Sequence, residues 1–335
     1  MKSSQKHKRI LILVENEDGQ VSSITLELLG AGRELADKIG GNLCAAILGH
    51  EIGNISHEIS HFSDEVYSLD NILLTSFQVD LYTRALENLC REIRPDIILT
   101  GHTSDNLDLA PRLACKLGTE LITDCTFLDI DPKSENLLCT KPVYGGRALA
   151  IFEITKKPKM ATLRPRSVES ITEPIPIKGE VSRFDSDIEQ SLVRTELIET
   201  VLGQSVSLDK ADVIVAGGRG IKNIEGLNLL KELIEMLKKN FDKVELGGSR
   251  PLVDSGFLPR SRQIGQTGEK ANPELYIAIG ISGASQHLCG VSGAKKIVAI
   301  NKDEQAPIFD VADYGIVGLY ENIVPSFIKK LRELL

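Results

Sequence analysis

A chain of 335 residues is long for a single hydrophobic core, so two domains are the natural expectation. Apolar residues make up 42% and charged residues 26%, as in ordinary globular proteins, and the net charge of −8 gives no overall attraction to nucleic acid or anionic membrane. Tryptophan is absent and aromatic residues amount to 4%, which argues against a base-stacking platform for nucleic acid.

The start of the chain and its cysteines bear on its compartment. Residues 1–9 are polar and basic, the apolar run Ile10–Val14 is too short for a signal peptide, and no stretch approaches the roughly 20 apolar residues of a membrane span. The six cysteines are scattered without a CxxC pair, which favours reduced thiols and argues against an iron–sulfur cluster. We therefore predict a cytoplasmic protein with no integral membrane segment, whose redox chemistry would come from an organic cofactor.

The first half of the chain alternates between strand-like and helix-like segments. The predicted strands are Arg9–Val14, Leu43–Leu48, Glu65–Leu69 and Asp96–Thr100, and the predicted helices are Ile24–Ile39, Gln78–Ile93 and Leu107–Leu117. Pro111 fits best in the first turn of the last helix. The short connections predict a mainly parallel sheet that is covered on both faces.

The pattern changes after Asp124, where strands follow one another without helices. The four predicted strands are Thr126–Asp129, Asn136–Val143, Ala148–Ile154 and Lys159–Leu163, with turns at 131–133, Gly145-Gly146 and Lys157-Pro158. They predict an antiparallel appendage at the end of the first domain.

A second domain begins after a polar stretch with prolines and no core pattern. We place an N-terminal α/β domain at residues 1–184, a linker at 185–208 and a second α/β domain at 209–335. The predicted elements of the second domain are strands at Asp212–Ala216, Lys243–Leu246, Leu275–Ile279, Lys296–Ile300 and Gly315–Val317, and helices at Gly226–Lys239, Ser285–Gly290 and Pro325–Leu334.

Glycine-rich and polar turns follow most strands of this second domain. The first is Gly217–Gly220, in which Arg219 offers a fork of donors that suits phosphate. Taken alone, it lacks the full GxGxxG spacing and is equally typical of a plain tight turn. Since ligands bind at the carboxyl ends of parallel strands, the whole set predicts one ligand crevice between Gly217 and Asn301.

The residues of these turns resemble those of a known family. Pro251–Gly318 closely resembles the FAD-binding segment of the electron-transfer flavoprotein alpha subunit, with the elements GQTG (265–268), GISGAxQH (280–287) and AINKD (299–303) in the family's order and spacing. Gly101–Thr126 resembles the family's GHT–DLAPRLA–DCT stretch. The resemblance therefore spans both domains and implies that the second is a Rossmann-like FAD-binding domain.

The resemblance also implies which residues contact FAD. It implies that Arg250 lies against the flavin ring, Thr267 near N5 and His287 near O2, where a cation or donor would raise the flavin's potential. Gln266 and the turn at 282–284 would hold the ribityl chain and the phosphates. The cofactor-binding residues implied are Arg219, Ser249, Arg250, Gln263, Ile264, Gly265, Gln266, Thr267, Ser282, Gly283, Ala284, Ser285, Gln286, His287 and Asn301, with Leu319 and Tyr320 at the adenine end. Relatives often have Asp-Leu at these last two positions, and a backbone contact would survive the difference.

The implied function is that of an electron carrier. The chain would form a heterodimer with a homologous beta subunit, which docks on the first domain. It would take electrons from acyl-CoA dehydrogenases of fatty acid beta-oxidation, or similar flavoenzymes, and pass them to a quinone oxidoreductase or another acceptor. One alternative is the alpha subunit of an electron-bifurcating flavoprotein with a second FAD in the beta subunit and NADH as donor. Another is a nucleotide-binding regulatory module that transfers no electrons.

Three other motifs have ordinary structural explanations. Residues 57–61 (HEISH) match the HExxH zinc pattern, but the flanks allow only a short helix and no third ligand stands out, so we predict a surface helix and no metal site. Cys289 is expected to be a small packing residue beside the crevice. Asp105, Asp108 and Arg112 are typical of helix-entry and salt-bridge residues.

Overall fold

The computed structural model describes residues 8–17, 19–144, 146, 148–174, 179–195, 198 and 208–334. The chain separates into two compact units, one of Met1–Pro142 and Leu149–Thr200, the other of Val143–Ala148 and Val201–Leu335. Residues 196–197 and 199–207 lie outside the described residues, so the division into 1–184, 185–208 and 209–335 stays a prediction. Gly145, half of one predicted turn, also lies outside them.

The elements up to residue 183 mix strands and helices. In chain order they are β1 (Arg9–Leu13), β2 (Asn16–Glu17), β3 (Gln20–Val21), α1 (Ser23–Ile39), β4 (Asn42–Gly49), α2 (Gly53–Ile59), β5 (Glu65–Asp70), α3 (Val79–Ile93), β6 (Ile97–Gly101), α4 (Ser104–Leu117), β7 (Leu121–Cys125), β8 (Phe127–Ile130), β9 (Leu137–Val143), β10 (Ala148–Ile154), β11 (Lys159–Leu163) and β12 (Glu180–Arg183).

The main sheet of the first unit has seven described strands in the order β12-β5-β4-β1-β6-β11-β7, and its strands pair in parallel. The central strands β1, β4 and β6 are runs of buried Ile, Leu and Ala, as expected of strands covered on both faces. Leu28 and Leu29 of α1 pack on one face, and Leu86 of α3 and Leu113 of α4 pack on the other. The predicted α/β architecture is confirmed.

The predicted place of β11 in the antiparallel appendage is wrong. β11 pairs in parallel with β6 and β7, and all five of its residues are buried, because it lies inside the main sheet. The appendage is a three-stranded sheet in the order β10-β9-β8, in which β8 and β9 are antiparallel. The sequence prediction also missed β7 and β12, which lie at the two edges of the main sheet.

Two helices begin earlier than predicted. Helix α4 starts at Ser104. The prediction began at Leu107 because the first turn is polar and the apolar periodicity begins only there. Pro111 therefore lies in the helix interior and not in the first turn. The C-terminal helix likewise starts at Tyr320 and contains Pro325.

The second unit is built on one parallel sheet. Its elements are β13 (Val213–Gly217), α5 (Ile224–Leu237), β14 (Val244–Gly248), α6 (Arg250–Asp254), β15 (Leu275–Ile279), α7 (Ser285–Leu288), β16 (Lys296–Asn301), β17 (Tyr314–Val317) and α8 (Tyr320–Leu334). The strand order is β14-β13-β15-β16-β17, and every described neighbouring pair is parallel.

In this strand order the chain changes direction across the sheet after β14, and this change creates a crevice between two loops. From β13 the chain runs to β14 on one side, and then returns to build β15, β16 and β17 on the other. The loops after β13 and β15 therefore diverge, and in open α/β sheets the crevice at such a switch point takes the ligand. Within the described ranges, no helix is both long and apolar enough to span a membrane.

Candidate functional site

The floor of the switch-point crevice is bare backbone. The Gly218 N–H donates to the Ile279 carbonyl over 2.8 Å, and the Gly220 N–H donates to the Gly280 carbonyl over 3.1 Å. A Cβ added to Gly218 would lie 2.1 Å from the Gly280 oxygen, so no side chain fits there. Glycine is required at Gly218 because two backbone segments pack directly against each other.

A cavity of about 850 Å³ opens above this floor. That volume lies within the range of about 300–1,000 Å³ typical of cofactor and small-molecule sites. Its lining comes from the segments that follow all five strands of the sheet. Most of the sequence-predicted site residues line it together: Arg219, Ser249, Arg250, Gln263, Ile264, Gly265, Gln266, Thr267, Ser282, Ala284, Gln286, His287, Asn301, Leu319 and Tyr320.

Gly283 and Ser285 are not among the lining residues. Gly283 is buried against the next segment, where a Cβ would lie 2.2 Å from the Ile308 nitrogen. Ser285 begins α7, and its hydroxyl donates to the side-chain oxygen of Gln286 over 3.4 Å. Both residues shape the turn, and their contacts with FAD stay predictions.

The sequence prediction missed the lysines of the site. Lys222 and Lys302 line the cavity beside Arg219 and Arg250, against the two carboxylates of Asp303 and Glu321. Four cations facing two anions suit a ligand with a diphosphate group. Lys302 could have been predicted from its position directly after β16, but a lysine at a strand end is equally typical of the solvent-exposed surface.

Ser249 is a polar residue with unused hydrogen-bonding capacity. It is 7% exposed, and its Oγ is buried without a hydrogen-bond partner in the described chain. The backbone N–H donates to the Gly217 carbonyl over 2.9 Å and so fixes the residue at the cavity wall. A buried hydroxyl without a partner costs free energy unless a ligand supplies the bond.

The segment after β14 is tied to the segment after β15. The Gln266 N–H donates to the Gln286 carbonyl over 2.7 Å. The Gln263 side-chain amide donates to Thr267 Oγ1 over 2.9 Å. Since the Thr267 hydroxyl accepts this bond, its own hydrogen remains available for an acceptor in the cavity.

His287 is held in the cavity wall by two bonds within the protein. Its Nδ1 lies 3.1 Å from the Ile264 carbonyl oxygen, and its Nε2 lies 2.8 Å from the Tyr276 hydroxyl. Burial lowers the pKa of His287 to about 4, although the bond to the Ile264 carbonyl opposes the shift. The ring is therefore neutral at pH 7, whereas the sequence analysis allowed an imidazolium here.

Arg250 has an exposed side chain that lines the cavity. It opens α6, and its Nε lies 3.4 Å from Asp254 Oδ2, one turn further along. Both side chains are more than 60% exposed, so this ion pair is weak and the guanidinium can turn to an anionic ligand.

The residues of the remaining motifs are not among those that line the cavity. Helix α2 ends at Ile59, so His61 of the HExxH match follows the helix, and the described residues hold no group of three His, Cys, Asp or Glu suited to a metal. Cys289 is half-buried, and its thiol donates to the Gln286 carbonyl. Arg112 pairs with Asp80 at 3.1 Å.

Two family models match the chain. The electron transfer flavoprotein domain matches residues 10–188, and the electron transfer flavoprotein FAD-binding domain matches residues 207–292. Electron transfer flavoprotein subunit alpha of Thermoanaerobacterium thermosaccharolyticum is 42% identical, over 98% of this chain and 99% of the relative. Protein FixB of Clostridium saccharobutylicum is 38% identical over 98% of each chain, and the alpha subunit of Bacillus subtilis is 36% identical over the same shares. Among solved structures, MurG of Acinetobacter baumannii covers 98% of this chain and 90% of its own at 11% identity, but the TM-score of 0.31 is too low to support an argument.

Proposed function

The chain belongs to the electron transfer flavoprotein alpha family with FAD as its cofactor, and on that premise we propose which partners it serves. It pairs with a beta subunit and takes electrons from an acyl-CoA dehydrogenase or a similar flavoenzyme. It delivers them to a quinone oxidoreductase or another acceptor, and it works in the cytoplasm. The FAD itself, when bound, supplies the ring that accepts and releases electrons.

The residues of the cavity fit FAD in shape and charge. Gly220 and Gly280 line the cavity without side chains, which leaves the backbone there accessible to a diphosphate. Arg219, Lys222 and Lys302 supply the positive charge that such a group requires. The unpartnered hydroxyl of Ser249 is the single observation that supports a resident ligand most directly, because a polar ligand removes its cost.

Three residues tune the flavin in this proposal. With FAD bound, the Arg250 guanidinium would stabilise the negative charge that the ring gains on reduction. The Thr267 hydroxyl would offer its free hydrogen to an acceptor of the ring. His287 would form part of the wall beside the ring. The other predicted contacts hold the ribityl, phosphate and adenine parts in place.

The test is purification with the beta subunit, followed by the visible spectrum and a flavin count. One FAD per heterodimer, reducible by an acyl-CoA dehydrogenase, is expected. Two FAD per heterodimer with rapid reduction by NADH would favour the bifurcating alternative instead. A bound nucleotide with no flavin absorbance would overturn electron transfer and leave the regulatory module.

We also infer where the beta subunit docks. Strand β10 is the edge of the three-stranded appendage, and its Leu149 and Ile151 are 67% and 69% exposed. Residues two apart share one face of a strand, so these side chains form an apolar patch beside an unpaired strand edge. Such a surface is typical of a protein interface, and the relatives are named as subunits.

The matched test places carboxylates on two edge strands. Leu149→Asp combined with Ile151→Asp is expected to abolish heterodimer formation in size-exclusion chromatography with light scattering. Val181→Asp, which charges a 45% exposed residue on edge strand β12, is the control and should leave the heterodimer intact. Loss of the heterodimer in both variants, or in neither, would contradict docking at β10.

A further inference from the structure

Tyr276 is a buried polar residue that does not line the cavity but is bonded to a residue that does. Its side chain is 0% exposed and packs in the apolar cluster with Ile214 and Val291 on one face of the sheet. A hydroxyl at such a depth requires a hydrogen-bond partner. That partner is Nε2 of His287, at 2.8 Å, and His287 in turn lines the cavity.

The directions of the two bonds to the His287 ring follow from the chemistry of the partners. The Ile264 carbonyl at 3.1 Å can only accept, so Nδ1 must carry the hydrogen in that bond. With Nδ1 protonated, a neutral ring leaves Nε2 as a bare lone pair. The Tyr276 hydroxyl, which has one hydrogen to give, then donates to Nε2.

A protonated ring would keep the bond to the Ile264 carbonyl but would disturb the bond to Tyr276. An Nε2–H would point at the Tyr276 oxygen, and the hydroxyl hydrogen would have to turn into the apolar cluster around it. Among the described residues, the other bond of the ring is to Ile264, whose carbonyl is already engaged by Nδ1. The pair therefore stabilises one state of the ring over the others.

We propose that Tyr276 is a positioning residue for the flavin site, whose hydroxyl fixes His287 at the cavity wall as the neutral tautomer with its hydrogen on Nδ1. The role of this tautomer in flavin chemistry rests on the proposed function, but the tautomer itself is a property of this chain. The positive charge at the cavity then comes from its arginines and lysines, and not from His287.

Several titratable groups lie around this ring and belong in the test. Tyr276 contacts the ring from β15, and Cys289 lies directly after α7. Arg250 and Lys302 line the same cavity from the segments after β14 and β16. When the flavin is reduced, Tyr276 opposes proton uptake by His287. Removal of the hydroxyl should therefore let the ring take up a proton more readily on reduction, which would stabilise the reduced flavin.

The first measurement is nitrogen NMR of the FAD-loaded heterodimer with labelled histidine in this chain alone. The chain has six histidines, and His287→Gln identifies the signal by its loss. At pH 7 we expect one protonated and one bare ring nitrogen, with the hydrogen on Nδ1. A hydrogen on Nε2, or on both nitrogens, would overturn the proposal.

The second measurement uses Tyr276→Phe, which keeps the ring and removes only the hydroxyl. The bare-nitrogen signal should shift, the pKa of His287 should rise by about one unit, as expected for one lost hydrogen bond, and the flavin potential should rise more steeply as the pH falls. In a His287→Gln background the same substitution should leave the potential unchanged. A shift of equal size in that background would overturn the proposal and show a merely structural effect.

Failure of this proposal can be told from failure of the proposed function. If the heterodimer binds no FAD, the proposed function fails, and the tautomer can still be measured in the flavin-free protein. If FAD binds and is reduced but the hydrogen lies on Nε2, only the role of Tyr276 is wrong.

Discussion

The two parallel sheets differ in what lies at their carboxyl ends. In the first unit, polar side chains there form bonded groups with their neighbours, although the Thr100 hydroxyl on β6 is buried without a partner in the described chain. Glu15, after β1, accepts hydrogen bonds from Thr103 and Asn106, both over 2.7 Å. Arg164, after β11, holds the two carboxylate oxygens of Asp124 on β7 over 2.8 and 3.0 Å.

In the second unit, the corresponding ends are left open. Ser249 has a buried hydroxyl without a partner in the described chain, and Arg250 has only an exposed, weak ion pair. The same kind of sheet thus closes its edge with internal bonds in one unit and presents the edge to a ligand in the other. The two units share one kind of sheet, and they differ in the side chains that follow its strands.

The bonded side chains at the strand ends of the first unit, here called the closed end, include residues of the N-terminal stretch that resembles the family. Thr103, Asn106 and Asp124 all belong to Gly101–Thr126, the N-terminal stretch that resembles the family. The bonds of Thr103 and Asn106 join the start of α4 to Glu15 after β1, and the bond of Asp124 joins β7 to Arg164 after β11. The stretch therefore has a structural role in this chain, whereas the motifs of the second unit line the cavity.

The largest effect is expected from breaking the closed end. Arg164→Leu leaves the Asp124 carboxylate buried without its cation, since the two side chains are 8% and 14% exposed, and should lower the free energy of unfolding by about 3–5 kcal/mol. Urea unfolding monitored by circular dichroism measures it. Arg183→Leu, which removes an ion pair whose side chains are 73% and 88% exposed, is the control and should cost less than about 0.5 kcal/mol. Equal effects would mean that the buried pair does not hold the strand ends.

The next largest effect is the pH dependence of stability that comes from the buried His287. Burial lowers the pKa of His287 to about 4, below its unfolded value of about 6.5. The unfolded chain therefore binds a proton between these two values and the folded chain does not. The contribution, about 3 kcal/mol, is present above pH 6.5 and is lost as the pH falls to about 4. The difference between wild type and His287→Gln in unfolding experiments from pH 7 to 4 measures it, and a constant difference would refute the neutral, buried state.

A smaller effect is expected at the mouth of the open end. Arg250→Ala removes a cation beside the ring and should lower the flavin potential by tens of millivolts, where about 30 mV corresponds to about 1.4 kcal/mol for a two-electron couple. Spectroelectrochemical titration of the heterodimer measures the shift. Arg260→Ala is the control, because Arg260 is an exposed arginine of the same segment that does not line the cavity. An unchanged potential in Arg250→Ala would remove Arg250 from the site.

The smallest effect has opposite signs with and without ligand. Ser249→Ala should weaken FAD binding about fivefold, equivalent to about 1 kcal/mol, because one hydrogen bond to the ligand is lost. The flavin-free chain should gain about 1 kcal/mol in stability, because a buried hydroxyl without a partner is removed. Fluorescence titration of FAD and urea unfolding measure the two changes. Ser255→Ala, on an exposed residue whose hydroxyl donates to the Pro251 carbonyl, should change neither. A loss of stability in flavin-free Ser249→Ala would show that the hydroxyl already has a partner.

The sequence predicted the open end better than the closed one. Its strands are separate apolar runs, each followed by a glycine-rich or polar turn, so local patterns sufficed to identify the strand ends. In the first unit, the place of β11 depends on its pairing with β6 and β7, which lie tens of residues away in sequence. β12 has mostly exposed residues and lacks the alternation by which a strand is recognised.

The side chains that the prediction missed share one property. Lys222, Lys302 and Tyr276 each have an ordinary local explanation, as surface cations or as a core aromatic. Their relation to the site depends on which loops and strands the fold brings together, as in the bond from Tyr276 to His287, eleven residues away. Motif spacing cannot report such a contact.

The glycine floor also sets limits for protein engineering. Since the backbone at Gly218 and Gly280 is in direct contact, no substitution there can add a group that recognises a different cofactor. Redesign for another nucleotide would have to act on the rim, where the side chains of Arg219, Lys222 and Lys302 are exposed. Substitutions at the site are therefore confined to its rim, because the glycines of its floor cannot be replaced.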